Sequence, residues 1–235
     1  EDSKRRDFTI NAIYLDIKGN IFDPQSGVND LKNKNVKFIG DPNKRIEEDY
    51  LRIIRFIRFK IMYDYKIEPT TLNSIKQNLN GIKKISKERI LVELYKILAL
   101  KRFINLNDDT DLKEIFILIF PEFENLKRLE RLTKICDFSQ LNRILLLAVL
   151  LIDDRKSHEY FGHKYNVSNL IKEKLDLFDK NLKTIKESKD FFKKDIEKNI
   201  YLYGKNHLIN LNILNFVFNT KLKIRDFSEI LKNIL

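Results

Sequence analysis

Arg52, Arg55 and Arg58 recur every third residue inside an apolar stretch that includes Tyr50, Leu51, Ile53, Ile54, Phe56, Ile57 and Phe59. At about 100° per residue those apolar side chains cover nearly the whole circumference of a helix, so the helix should be largely buried. The arginines form one oblique row on it, with Asp49 at its head and Glu48 four residues before Arg52. Guanidinium groups on a buried helix are costly unless anions satisfy them. Glu48 and Asp49 offset at most two, so the remaining positive charge points to an anionic ligand in a cleft, with acidic residues from a packed helix as the alternative.

The pairing of Asp49 with Arg52 suggests a second use. A carboxylate accepts from an exocyclic amino group, and a guanidinium donates to ring nitrogens and carbonyls. Cytosine and adenine each set an amino donor beside an acceptor. Uracil and guanine place a carbonyl there, which a carboxylate repels. Asp49 with Arg52 therefore has the chemistry to favour C and A over U and G without a template.

Four stretches resemble, in order and at matching spacing, the motifs of class II tRNA nucleotidyltransferases and the sister bacterial poly(A) polymerases. They are Arg5-Arg6-Asp7-Phe8-Thr9-Ile10-Asn11-Ala12; Asp23-Pro24 with Gly27 and Asp30-Leu31; Glu48-Asp49-Tyr50-Leu51-Arg52 running on to Phe59; and Ile85-Ser86-Lys87-Glu88-Arg89-Ile90 with Glu93-Leu94. The resemblance implies that Arg6 binds the triphosphate and Asp7 the ribose, with Arg5 and Asn11 supporting. It implies that Asp49 and Arg52 read the base edge, that Arg55 and Arg58 line the nucleotide pocket, with Arg58 nearer the phosphates, and that Glu48 holds the Arg52 rotamer. The second motif would connect head to neck and the fourth would buttress the neck. The likeness is clear to about residue 125 and faint beyond.

The substrates so implied are ATP and CTP, and the partner is a tRNA or other RNA 3′ end. Family members hold Mg2+ on a pair of head-domain aspartates that precede the Arg-Arg-Asp motif, so neither those metal ligands nor a catalytic residue is expected in this chain. Asp109-Thr110-Asp111 and Asp153-Asp154 read as a helix cap and a helix end, not as metal sites. The expectation is a portion that supplies nucleotide selection and RNA binding, is inactive alone, and is completed by a separate head-domain polypeptide. A poly(A) polymerase portion and a non-catalytic RNA-binding remnant are the alternatives.

The elements that must carry these residues are mainly helical. Glycine and proline fall mostly in the first third of the 235 residues. This points to a mixed start and a long helical remainder. Ala12–Asp16 and Ile21–Pro24 flank a Gly-Asn turn and read as a β-hairpin, with Val36–Ile39 a third short strand. Asp41 and Pro42 should open a helix that runs unbroken through Tyr63. Further helices are expected near 70–80, 86–99, 112–119, 140–151, 167–186, 190–203 and 209–218. Ser86 supplies a capping signature for the second of these. The corresponding domains are residues 1–40, the end of a nucleotidyltransferase head; 41–125, a helical neck; and 126–235, a helical body and tail that binds RNA.

Bulk composition agrees. Lys and Arg number 45 against 34 Asp and Glu, a net charge of +11, which suits phosphate-rich partners but also follows from a Lys- and Asn-rich composition. One cysteine, Cys136, excludes an internal disulfide and a Cys-rich zinc site. His158, His163 and His207 are scattered in sequence and read as packing or surface residues. No apolar run reaches membrane-spanning length and no signal peptide opens the chain, so a cytoplasmic setting without membrane is expected.

Overall fold

The computed structural model describes residues 2–138, 141–188 and 190–235. The protein is mainly helical, with one two-stranded antiparallel sheet near its start. It divides into two compact units, residues 1–119 and 120–235.

The first unit opens with two short 3-10 turns, Asp2–Arg5 and Thr9–Asn11, and then the hairpin β1 (Tyr14–Leu15) and β2 (Ile21–Phe22). Tyr14 pairs with Phe22 and Leu15 with Ile21. Asp16 holds the turn through the Lys18 and Asn20 amides, both at 2.8 Å, and Gly19 takes φ 85°, which suits a residue without Cβ. The hairpin expected from the sequence is present. The expected third strand is not: Phe38 makes only an isolated bridge to Phe8. The partner stretch, Asp7 to Thr9, lies between two turns and is too short and irregular to extend a ladder.

Helix α1 (Gly27–Lys32) leads to α2 (Pro42–Glu48), where Asp41 caps the Lys44 amide at 2.9 Å and Pro42 occupies the first turn. The helix expected to continue through Tyr63 breaks at Asp49, whose φ of −156° and ψ of 103° are extended. The break has a local cause. Asp49 turns its side chain onto the Leu51 amide at 3.2 Å, and its carbonyl accepts from the Arg52 amide at 3.0 Å, so it opens a new helix, α3 (Leu51–Tyr63). Alpha helices α4 (Pro69–Asn78), α5 (Lys87–Leu98) and α6 (Thr110–Ile119) complete the unit, with 3-10 segments at Leu79–Lys84 and Lys101–Asp108. Ser86 caps α5 at the Arg89 amide as its capping signature requires, although at 3.4 Å the bond is long.

Helix α3 packs along α5. Ile53, Ile54, Phe56 and Ile57 of α3 and Leu94 and Ile97 of α5 are fully buried; full burial of one such side chain contributes about 1.5–3 kcal/mol. Phe8, Phe38, Phe56 and Phe59 form an aromatic cluster over the same helix, with Phe8 4.9 Å from Phe38 and 5.3 Å from Phe59.

The second unit comprises α7 (Arg128–Leu132), α8 (Arg143–Leu151), α9 (Ser157–Lys164), α10 (Asn169–Glu187), α11 (Ile196–Tyr203), α12 (Lys205–Phe218) and α13 (Ile224–Ile234). Its centre is α8, in which Leu145 to Leu151 are all buried, and which packs on α9, α10 and α12. Asn142 caps it at the Ile144 amide, 2.7 Å away, one turn later than the expected start at Gln140, which lies outside the described residues. Two arginines of α7 close helix ends whose last carbonyls lack intrahelical partners. Arg128 donates to the Val149 and Ile152 carbonyls at 2.9 and 2.7 Å, and Arg131 to those of Phe216, Asn219 and Leu222. The helix expected from Asp190 begins only at Ile196; a turn stabilised by Lys193 and Asp195 amides on the Asp190 carbonyl precedes it. Helices α1, α7, α9 and α13 were not anticipated. No described helix is long and apolar enough to cross a membrane.

Candidate nucleotide site

Three devices bring the Arg5–Ala12 segment onto α3. Phe8 is fully buried in the aromatic cluster. The bridge on either side of it pairs the Thr9 amide with the Lys37 carbonyl and the Ile39 amide with the Asp7 carbonyl. Helix α1 secures the turn behind it: Asp23 caps the Gly27 and Val28 amides, and Thr9 donates its hydroxyl to Asp30 at 2.6 Å. Gly27 is required there, since a Cβ would stand 2.2 Å from the Thr9 carbonyl oxygen. The roles of Asp23, Gly27 and Asp30 in the connecting motif are thus mechanical.

Asp7, next to the anchored Phe8, lies directly over the arginine row. Arg52 Nε donates to one of its oxygens at 3.0 Å, and Arg55 Nε lies 2.6 Å from the other. The Arg55 contact is an ion pair without an aligned hydrogen bond. Arg52 also donates through Nη1 to Glu48 and to the Arg45 carbonyl, each at 2.6 Å. Glu48 therefore holds Arg52 in place, and Arg45 contacts both Glu48 and the Arg6 carbonyl. The hydrogen bond from Arg52 pulls the Glu48 carboxyl below the ordinary range, against a small burial cost. Burial opposes the charge on Arg52, but its bonds to Glu48 and Asp7 outweigh burial and raise its pKa.

Further along the row, Arg58 donates to Glu93 of α5 at 2.9 Å and lies 4.4 Å from the Phe59 ring centre. Glu93 is buried and also receives Lys96 at 2.7 Å. The acids that satisfy the row come largely from packed neighbours, Asp7 and Glu93, rather than from Glu48 and Asp49. The premise that the row is left uncompensated is corrected accordingly. Around the row, Arg45, Arg52, Arg55, Arg58, Arg89 and Lys96 still outnumber Asp7, Glu48, Asp49 and Glu93.

Asp49 and Arg52 stand three residues apart and form no ion pair with each other. Asp49 accepts from Arg89 of α5 at 2.7 Å. Arg52 makes its hydrogen bonds through Nε and Nη1; Nη2 makes none among the described residues and is not sealed from solvent. Between them, Tyr50 presses its ring onto Gly81, where a Cβ would lie 2.0 Å from two ring carbons. Arg6 is exposed and pairs with Asp2 at 2.8 Å; Arg5 is exposed and Asn11 half-buried in the second 3-10 turn. Arg45, Arg89 and Glu93 were not among the residues expected to form the site. Glu93 and Arg89 sat in a recognised motif, and their partners become visible only when α5 is laid against α3.

Asp109, read as part of a helix cap, and Asp153, read as part of a helix end, both cap backbone amides. Asp109 accepts from the Leu112 amide at 3.0 Å and pairs with Lys60. Asp153 accepts from the Ser157 amide and hydroxyl. His207 stacks on Phe178 at 4.7 Å, and burial lowers its pKa. His158 is buried and lies 3.4 Å from Asp176; with Glu159 this is the one group of metal-ligating side chains close together among the described residues, and Lys156 already pairs with Glu159. Sequence spacing did not show it, because Asp176 comes from the next helix.

Residues 1–37 match the family model described as the poly A polymerase head domain, and residues 64–126 match one described as a probable RNA and SrmB-binding site of polymerase A. The chain is 40% identical over 156 residues to the human mitochondrial CCA tRNA nucleotidyltransferase 1. The chain belongs to the family of class II CCA-adding enzymes and poly(A) polymerases. That alignment covers 64% of this chain and 36% of the human protein. The Lactobacillus helveticus CCA-adding enzyme is 48% identical over 97 residues, 41% of this chain and 24% of that enzyme. The chain thus spans about a third or less of the curated relatives it matches. The Bacillus stearothermophilus CCA-adding enzyme, solved in complex with CTP, shares the fold over all of this chain and 58% of its own, with a TM-score of 0.72 at 24% identity. The Thermotoga maritima CCA-adding enzyme complexed with tRNA matches at a TM-score of 0.66 and 22% identity, over 99% of this chain and 59% of its own. Helix α3 lies between the two stretches that the family models cover, so its chemistry rests on its own geometry.

Proposed function

We propose that this chain supplies nucleotide selection and RNA binding to a template-independent nucleotidyltransferase that adds CMP and AMP to tRNA 3′ ends. The observation that carries the reading is the separation of Asp49 from Arg52. Two opposite charges three residues apart are each held by a third party, so each keeps hydrogen-bonding capacity for a base edge. Arg52 offers the two hydrogens of Nη2, and Asp49 offers the lone pairs that Leu51 and Arg89 leave unused. Cytosine and adenine match that donor and acceptor order, and uracil and guanine do not.

In this reading Arg6 binds the triphosphate, Asp7 the ribose, and Arg55 and Arg58 line the pocket, with Arg5 and Asn11 supporting the segment. Asp7 reaches the ribose while fixing two arginines, which ties sugar position to base position. Residues 1–40 complete a head, 41–125 form the neck, and 126–235 hold the RNA in a cytoplasmic setting. The relatives solved with CTP, ATP and tRNA support the same substrates here. Transfer itself needs Mg2+, which would assist the attacking 3′ hydroxyl and the departing pyrophosphate; in this reading Asp7, Glu48 and Glu93 serve the arginines and Asp49 the base, so none of them is assigned to the metal. In this reading metal binding and catalysis are supplied by a separate head-domain polypeptide.

The test is primer extension on tRNA lacking its 3′ end, with the chain alone and with a family head domain added. Addition of C then A only in the pairing is the expected result. Long A tracts without C addition would assign the chain to poly(A) synthesis, and no incorporation under any pairing overturns the enzymatic reading.

A further inference from the structure

Arg89 is not needed for charge balance in the core, since its side chain and that of Asp49 are about half and a third exposed. An exposed pair of this kind contributes little to stability. Its position is nonetheless constrained. It lies in the first turn of α5, where Ser86 accepts its own amide, and one turn before Glu93, which holds Arg58. A single helix thus grips both ends of the arginine row, Asp49 at one end and Arg58 at the other.

We propose that Arg89 is a positioning residue for base selection: it draws Asp49 away from Arg52, so that carboxylate and guanidinium present separate edges instead of neutralising each other. This rests on the reading of Asp49 and Arg52 as the base-reading pair. Without Arg89, the Asp49 carboxylate has an obvious alternative partner, the uncommitted Nη2 of Arg52. Leu51 holds only one carboxylate oxygen, through a 3.2 Å amide contact, which does not prevent that rotation. Asp7 and Glu48 hold Arg52 through Nε and Nη1 and leave Nη2 open to be captured. A collapsed pair would lose its donor and acceptor order and with it the distinction between cytosine and uracil. Triphosphate contacts, made by other residues, would remain.

The experiment titrates the full chain with CTP and with UTP, each with Mg2+, following amide and arginine side-chain resonances by NMR. The wild type should favour CTP. Arg89→Ala should bring the ratio of CTP to UTP affinity down by about ten-fold, the discrimination one bidentate base contact carries, while UTP affinity and the melting temperature hold. Arg89→Lys should restore most of the ratio, because an ammonium also competes for Asp49; Arg89→Gln, which keeps the side-chain bulk, should not. An unchanged ratio in Arg89→Ala and Arg89→Gln overturns the role of Arg89 alone. A wild type with no preference, or one whose preference survives Asp49→Ala, overturns the base-reading pair and this inference with it.

Discussion

Replacing Gly81 by alanine tests the packing that holds the start of α3. A Cβ at Gly81 would stand 2.0 Å from Cδ1 and Cε1 of the Tyr50 ring. Ordinary carbon contacts lie at about 3.5–4.0 Å, so the ring or the backbone must move by about 1.5 Å. Gly81 is not among the residues with positive φ, so alanine suits its backbone. Taken alone, the lower entropy of the unfolded chain would then stabilise the variant by about 0.4–1 kcal/mol. Overpacking a close contact costs about 1–3 kcal/mol. The net expectation is a loss of about 1.3 kcal/mol in urea unfolding, the difference between the midpoints of those two terms. The same substitution in a Tyr50→Ala background meets no ring, and there Gly81→Ala should be neutral or stabilising. Equal effects in the two backgrounds, within about 0.5 kcal/mol, would refute the close approach. Because Tyr50 follows Asp49 directly, the single variant should also weaken CTP preference in the same titration.

Glu93→Ala leaves Arg58 part-buried without its carboxylate and should cost about 3 kcal/mol in denaturant unfolding, the low end for breaking a buried pair. Asp7→Asn keeps the shape but removes the anion shared by Arg52 and Arg55; stability should fall by about 1–3 kcal/mol while retention on a heparin column rises, and an unchanged retention would show the two arginines are not freed. His207 should titrate below its ordinary value of 6.5 because it is buried. The unfolded state then takes up the proton first, so its contribution to stability is whole above pH 6.5 and falls as pH drops through the lowered folded value. His207→Gln should remove that part of the pH dependence. Glu48 follows the acidic version of the same rule: its stabilisation is present above pH 4.5 and lost as pH falls through its lowered folded value, so Glu48→Gln should flatten the unfolding curve in that window.

Much of the site was legible because its residues announce themselves locally. A row of arginines at helical spacing is readable whichever way the helix packs, and the Glu48–Arg52 contact follows from spacing of four. The hairpin and the Ser86 and Asp41 caps follow from short-range hydrogen bonding in the same way. What was not legible depends on distant partners. Asp7 reaches Arg52 across 45 positions and Glu93 reaches Arg58 across 35. The break at Asp49 was missed because helical periodicity persists through it; the deciding event is one carboxylate that caps instead of pointing outward. Helix α13 was missed for a related reason: its start depends on Asp226 reaching back to the Lys223 amide at 2.8 Å, with no Ser, Thr or Asn to mark it. The third strand failed because a run of β-formers needs a partner of equal length.

The anchoring of Phe8 has a consequence for tolerance to change. Relative to α3, the segment that carries Arg6 and Asp7 behaves as a tethered ligand, with the hairpin as part of its tether. The tip of that hairpin is fully exposed at Ile17, and Leu15, Ile21 and Phe22 are mostly exposed as well. Doubling the length of a flexible tether costs only about 0.6 kcal/mol in closure entropy. Extra residues inserted at Lys18–Gly19 should therefore leave Asp7 seated on its arginines, whereas removing the Phe8 ring, which adds no atom to the site, should release it. The durability of this site lies in the Phe8 anchor and the bonds beside it rather than in the length of chain around it.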